Sequence, residues 1–198
     1  MSIEDGKYIQ QNAPQPPKIA NPGPLGLSGF ALTTFVLSIH NAGSTTVPSP
    51  SITLGLALFY GGLVQLLAGM WEFKTGNTFG ATAFSSYGGF WMSFAVIIFP
   101  GLNVTAAPNF EQALGIYLLG WTIFTFLLFL ATFRSTGGIM ALFFFLTLTF
   151  LLLTIGCFTS ATATKIGGVL GIITAFIAWY NALAGLITYF TLPTFDLS

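Results

Sequence analysis

The sequence predicts an all-α integral membrane protein of six transmembrane helices, and two observations carry that prediction. Only five basic and five acidic residues occur among 198, where a soluble domain of this size carries about 25% charged residues. None of the ten lies inside six apolar stretches, roughly Leu25–Ala42, Ile52–Trp71, Thr78–Phe99, Ala113–Phe133, Ile139–Phe158 and Ile166–Tyr189. A helix rising ~1.5 Å per residue needs about 20 apolar residues to cross a ~30 Å hydrocarbon layer, and each stretch has about that length. Backbone polar groups in lipid must be satisfied internally, so helices are the economical solution.

The turn chemistry marks each helix in order. Ahead of the first stands Asn21-Pro22-Gly23-Pro24-Leu25-Gly26-Leu27. Its prolines fix φ and remove donors that would be unpaired at a helix start, and Asn21 can cap. Pro48 and Pro50 separate the first and second helices, Lys74-Thr75-Gly76-Asn77 the second and third, and Pro100-Gly101 ends the third. Gly137-Gly138 opens the fifth. Small residues recur within the helices: Gly61, Gly62 and Gly69 in the second, Gly80 and Gly88 in the third, and Gly167-x-x-x-Gly171 in the sixth. They let backbones approach where lipid supplies no hydrophobic force, and so predict a tight Gly-rich bundle or oligomer. Phe143-Phe144-Phe145 in the fifth helix predicts a face toward lipid or a partner subunit. Asn109-x4-Leu114-Gly115-Ile116 opens the fourth helix somewhat as Asn21-x3-Leu25-Gly26-Leu27 opens the first, which raises a possible 3+3 inverted repeat.

Three regions follow: 1–24, a cytoplasmic polar tail carrying the start of the opening heptad; 25–189, the six-helix membrane domain; and 190–198, a short C-terminal tail. The Pro-rich first 20 residues have no apolar core of a signal peptide, so the first helix is expected to start insertion. Lys7, Lys18, Lys74 and Arg134 fall on one side of the bundle and Lys165 alone on the other, which places both termini in the cytoplasm. The sequon Asn103-Val104-Thr105 then lies outside.

The composition excludes several functions. No basic patch could neutralise a phosphate backbone, so nucleic acid is not an expected partner. Cys157 is the single cysteine, which excludes an internal disulfide and a cysteine-rich metal site, and it reads as a small apolar residue between helices. No nucleophile–base pair or metal cluster is visible, so the chain is read as not an enzyme, with no metal and no cofactor. What remains is the uncharged polar set: Thr33 and Thr34, Gln65, Thr82, Ser85, Ser86, Tyr87 and Asn181. An amide in hydrocarbon must find partners or line water, so Gln65 and Asn181 are either interhelical hydrogen bonders or lining of a path. His40 is the one side chain with an ordinary pKa suited to carrying a proton, and an interfacial structural histidine is the other reading. Glu72 is a weaker candidate for that proton-carrying role and reads first as a helix-end charge near Lys74.

The opening heptad, followed by Ser28-Gly29-Phe30 and Asn41, resembles the signature of the acetate uptake transporter family, which includes the succinate–acetate permeases. Phe59-Tyr60-Gly61-Gly62 with Gln65 and Ala68-Gly69, then Gly76-Asn77-Thr78-Phe79-Gly80, then Thr82-Ala83-Phe84-Ser85-Ser86-Tyr87-Gly88-Gly89-Phe90-Trp91, continue the match. It departs at Gly23, where the family usually has Ala. The resemblance implies transport of acetate, and of short carboxylates such as succinate, by a channel or proton-coupled carrier. It also implies a homo-hexamer in the plasma membrane with a pore in each protomer. By this resemblance Phe30, Tyr87 and Leu146 form a hydrophobic constriction, Gln65 lies beside the path, and Asn21 sits near the cytoplasmic mouth. An ammonium or ammonia channel and a non-transporting membrane sensor or scaffold are the rival readings. Against the first stand a single His and the absence of a mid-membrane carboxylate.

Overall fold

The computed structural model describes residues 2–4, 7–9, 19–43 and 50–187. Six helices carry the chain: α1 Gly23–Asn41, α2 Leu54–Thr75, α3 Thr78–Ile98, α4 Phe110–Ala131, α5 Gly137–Phe158 and α6 Ala161–Ile187. All six are long and apolar enough to cross a membrane. A short antiparallel hairpin, β1 Ser2–Glu4 with β2 Lys7–Ile9, precedes them. Pro48, Lys18 and the end of the sixth apolar stretch at Tyr189 lie outside the described residues, as do positions 190–198.

The helix limits follow from local chemistry. Pro24 occupies the second position of α1, where a missing N–H costs nothing. Gly76 ends α2 with φ of 80°, a left-handed conformation that glycine adopts without a Cβ clash. Asn77 then caps α3 by accepting the Gly80 N–H at 3.0 Å. Thr136 caps α5 through the Ile139 N–H. Asn109 is the N-cap residue of α4 with φ of 58°, whereas Asn21 stands two residues before α1, so the two Asn-led openings differ in backbone.

α1 packs along α6, α6 along α5, α5 along α4, and α2 along α3, with α1 also meeting the middle of α2. There α2 relaxes into a π-helical turn, Phe59–Val64, across Gly61-Gly62. A Cβ on Gly29 would lie 2.6 Å from the Tyr60 carbonyl oxygen, so α1 and α2 approach this closely only because that position is glycine. Five of the buried threonines are satisfied inside the bundle. Thr33, Thr122, Thr149, Thr154 and Thr174 each donate to the carbonyl four residues back at 2.8 Å. Thr122 and Thr154 join α4 to α5, and Thr149 and Thr174 join α5 to α6. Large apolar side chains cover the outside, among them Phe59, Ile116, Leu127 and Phe176, as a lipid-facing surface requires. The Phe143-Phe144-Phe145 run divides by helical angle, with Phe143 buried and Phe144 exposed.

Candidate functional site

Two cavities lie end to end in the bundle. The larger, about 400 Å³, opens at the end holding Asn21, Asn77 and Arg134. The smaller, about 140 Å³, lies toward the end holding Asn41, Glu111 and Thr164. Phe30 and Leu146 line both, and they are the only residues common to the two linings. Tyr87 lines the larger cavity beside them, its ring centroid 5.6 Å from that of Phe30. Trp121, Phe124 and Phe143 complete an aromatic collar around Tyr87, with centroids 5.9 to 6.3 Å away. The Tyr87 hydroxyl is hydrogen-bonded to Thr125 Oγ1 at 2.9 Å. One such bond leaves the phenol able to make another, because a hydroxyl both donates and accepts.

The five residues read from the sequence as lining a path all border the larger cavity. Gln65 is 1% exposed, and its Oε1 has no partner among the described residues. An unpaired buried amide oxygen is costly, so this is a position where a polar guest lowers free energy. Asn181 behaves differently. Its Nδ2 donates to the Ile177 carbonyl at 2.8 Å, its amide packs against Gly138 of α5, and it borders neither cavity. Of the two intramembrane amides, one borders the larger cavity and the other packs between helices.

Asn21 is exposed at the mouth, and its role differs from the cap expected of it. The N-cap residue of α1 is Pro22, and Asn21 Oδ1 accepts the Gly23 N–H at 2.9 Å in a local turn. With the Gly26 N–H taken by the Pro22 carbonyl and no N–H on Pro24, the first turn of α1 keeps few donors for an anion. His40 is half-buried beside Glu111 and Lys165 in a third hollow, of about 520 Å³, at the other end. Cys157 is half-buried and borders both this hollow and the smaller cavity.

Glu72, read from the sequence as a helix-end charge and a weaker proton-carrier candidate, does lie in the last turn of α2, but it is 3% exposed and lines the larger cavity. Its Oε2 accepts from Asn77 Nδ2 at 2.9 Å and from Thr75 Oγ1 at 3.2 Å. A signal existed, because Gln65 and Glu72 are seven residues apart and so share one face of α2. Trp91 and Thr34, which border the smaller cavity, have a ring nitrogen and a hydroxyl without partners among the described residues.

The profile of one protein family spans residues 6–198. The chain belongs to the GPR1/FUN34/yaaH family. It is 51% identical over 185 residues to acetate permease A of Emericella nidulans, covering 85% of this chain and 62% of that protein. It is 55% identical over 177 residues to ammonia transport outward protein 2 of Saccharomyces cerevisiae, covering 86% of this chain and 63% of that one. The chain therefore spans somewhat less than two thirds of the length of these relatives. The solved structure of the bacterial acetate channel SatP superposes with a TM-score of 0.80 at 42% identity, covering 86% of this chain and 94% of that one. The family is thus the one the opening heptad resembles, and the chain is a multi-pass membrane protein built like that channel.

Proposed function

We propose that this chain carries acetate, and short carboxylic acids like it, across a membrane through the two cavities. The single observation that carries the reading is that both cavities end on Phe30 and Leu146, inside an aromatic collar drawn from four helices. The names of the acetate permease and acetate channel relatives support it.

In this reading the acid enters the larger cavity past Asn21, and the O–H of its protonated carboxyl group donates to the unpaired Oε1 of Gln65 while its methyl group rests on Phe30 and Leu146. A bare carboxylate in an apolar collar is expensive. Passage therefore uses the protonated acid, a hydrogen bond to the Tyr87 hydroxyl, or brief wetting. The smaller cavity, with Thr34, Ser38 and Asn41 along its wall, receives the solute beyond the collar. A gap bounded by Phe30, Tyr87 and Leu146 admits acids of one to three carbons and rejects sugars. Both termini lie in the cytoplasm, the membrane is the plasma membrane, and the assembly is a homo-hexamer with one pore per protomer. The chemistry is transport coupled to protons or down a gradient, not catalysis.

Uptake of radiolabelled acetate into proteoliposomes, with protein-free vesicles subtracted, tests the reading. Saturable flux that unlabelled propionate competes for is expected, and failure to move any short monocarboxylate overturns it. The yeast ammonia-transport relative supports one second reading, release of ammonia. The same vesicles loaded with ammonium separate the two, since an ammonia pore alkalinises the outside with no monocarboxylate present.

A further inference from the structure

We infer that Glu72 couples entry of the solute to a proton, by sharing one proton with the solute's carboxylate in the larger cavity. This rests on the transport reading above. Glu72 stands two helical turns from Gln65 on the same face of α2, and both line that cavity. Its carboxylate is held in place from one side only. Oε2 accepts from Asn77 Nδ2, whose own Oδ1 is fixed by the Gly80 N–H, and it shares the Thr75 hydroxyl with the Glu72 main-chain carbonyl. Oε1 accepts no hydrogen bond among the described residues and faces the opening of α1, where a Cβ on Gly23 would lie 3.5 Å from it. A carboxylate oxygen with no donor, in a cavity of about 400 Å³, is a hydrogen-bond acceptor waiting for one.

The surroundings supply little compensating charge. Glu72 meets Gly23 of α1 and Gly80 of α3, Asn21 ahead of α1 shares the lining, and α5 contributes only apolar side chains to it. Lys74, on the same helix end, is exposed and absent from the lining. Arg134, exposed at the rim, is the single basic residue among the described lining residues. Two carboxylates in one confined site cannot both stay ionised cheaply, so the pair takes up one proton from water at the mouth. That proton sits between Oε1 and a solute oxygen. When the solute moves on to the collar it leaves as the neutral acid with the proton, and Glu72 returns to the ionised form. The collar then never receives a bare charge.

The test counts protons rather than flux. Acetate is titrated into the detergent-solubilised full chain near neutral pH by calorimetry, in buffers of different ionisation enthalpy. Uptake of about one proton per acetate bound is expected in the native protein and in Glu72→Asp, and close to none in Glu72→Gln. In planar bilayers Glu72→Gln should also convert electroneutral acetate movement into a current. No proton uptake by the native protein, a measurement that needs no variant, overturns the inference, as does equal uptake in Glu72→Gln. Absence of any acetate binding or flux in the native protein is a different result, which overturns the transport reading instead.

Discussion

The two cavities differ in size and in chemistry. The larger brings together Asn21, Gln65, Glu72, Asn77 and Arg134, whereas the smaller has roughly a third of the volume and a wall dominated by Phe90, Trp91, Phe94 and Phe150. Packing explains the contrast. At the end of the smaller cavity α1 and α6 touch through backbone, since a Cβ on Gly168 would run into the Ala42 amide nitrogen. At the other end the same pair is spaced by Pro24, whose Cγ lies 3.0 Å from a Cβ on Gly185. The larger cavity has room for polar side chains and water, and the smaller one is narrowed by aromatic rings along its wall. In the proposed reading a solute from the wide end reaches the collar through a polar space, and one from the other end passes Asn41, Glu111 and Thr164 and then the aromatic wall.

The sharpest way to break this comparison is to add a methyl group at each end of the α1–α6 seam. Gly168→Ala forces rigid backbones apart and should cost about 1–3 kcal/mol, seen as a large fall in assembled protein and in thermal midpoint in detergent. Gly185→Ala meets only the flexible edge of a proline ring and should cost clearly less. Equal losses would show that the two ends of the seam are not packed differently.

The junction between the cavities is next. Leu146→Ala widens the collar on the α5 side while leaving Phe30 and Tyr87 in place, and removal of such apolar bulk changes discrimination by roughly tenfold or more. Lactate or succinate flux should rise relative to acetate, with acetate flux retained. Unchanged selectivity in an assembled Leu146→Ala protein would remove Leu146 from the junction and sever the proposed link between the cavities.

Two smaller effects concern the mouth of the larger cavity. Asn21→Ala removes the acceptor of the Gly23 N–H, and a purely structural role limits the loss to about 0.5–2 kcal/mol. We expect acetate uptake per assembled molecule to fall, because the same side chain borders the entry. Normal uptake per molecule would reduce Asn21 to a turn residue. Gly23→Ala should have the smallest effect. Its Cβ would lie 3.0 Å from Asn21 Oδ1, so that side chain must shift by a few tenths of an ångström. Uptake should change less than in Asn21→Ala, and a larger defect would mean that the spacing between Asn21 and Glu72 is critical.

Much of this was readable in advance because lipid imposes a strong rule on sequence. Charge depletion over about 20 residues located all six helices, and turn residues set their limits to within a few positions. The family signature marked Phe30, Gln65 and Tyr87, which border one cavity. Reasoning failed where a residue's role depends on a neighbour from another helix. Glu72 and Lys74 look alike as charges at the end of α2, yet one is buried and the other exposed, a difference made by Asn77 and by α1 lying across the end of the helix. Gln65 and Asn181 look alike as amides in apolar stretches, and only helix packing sends one to the cavity and the other to a seam.

The sequence by itself determined that this chain is a bundle of six membrane helices with small-residue contacts and almost no charge, because hydrophobic length and backbone satisfaction in lipid are local, additive properties of the chain. The tertiary structure alone decided which face of each helix turns inward, where the two cavities end, and that a carboxylate is buried at one mouth. Those outcomes depend on contacts between residues far apart in sequence, chiefly the close approach of α1 to α2 and α6, and no local pattern encodes them.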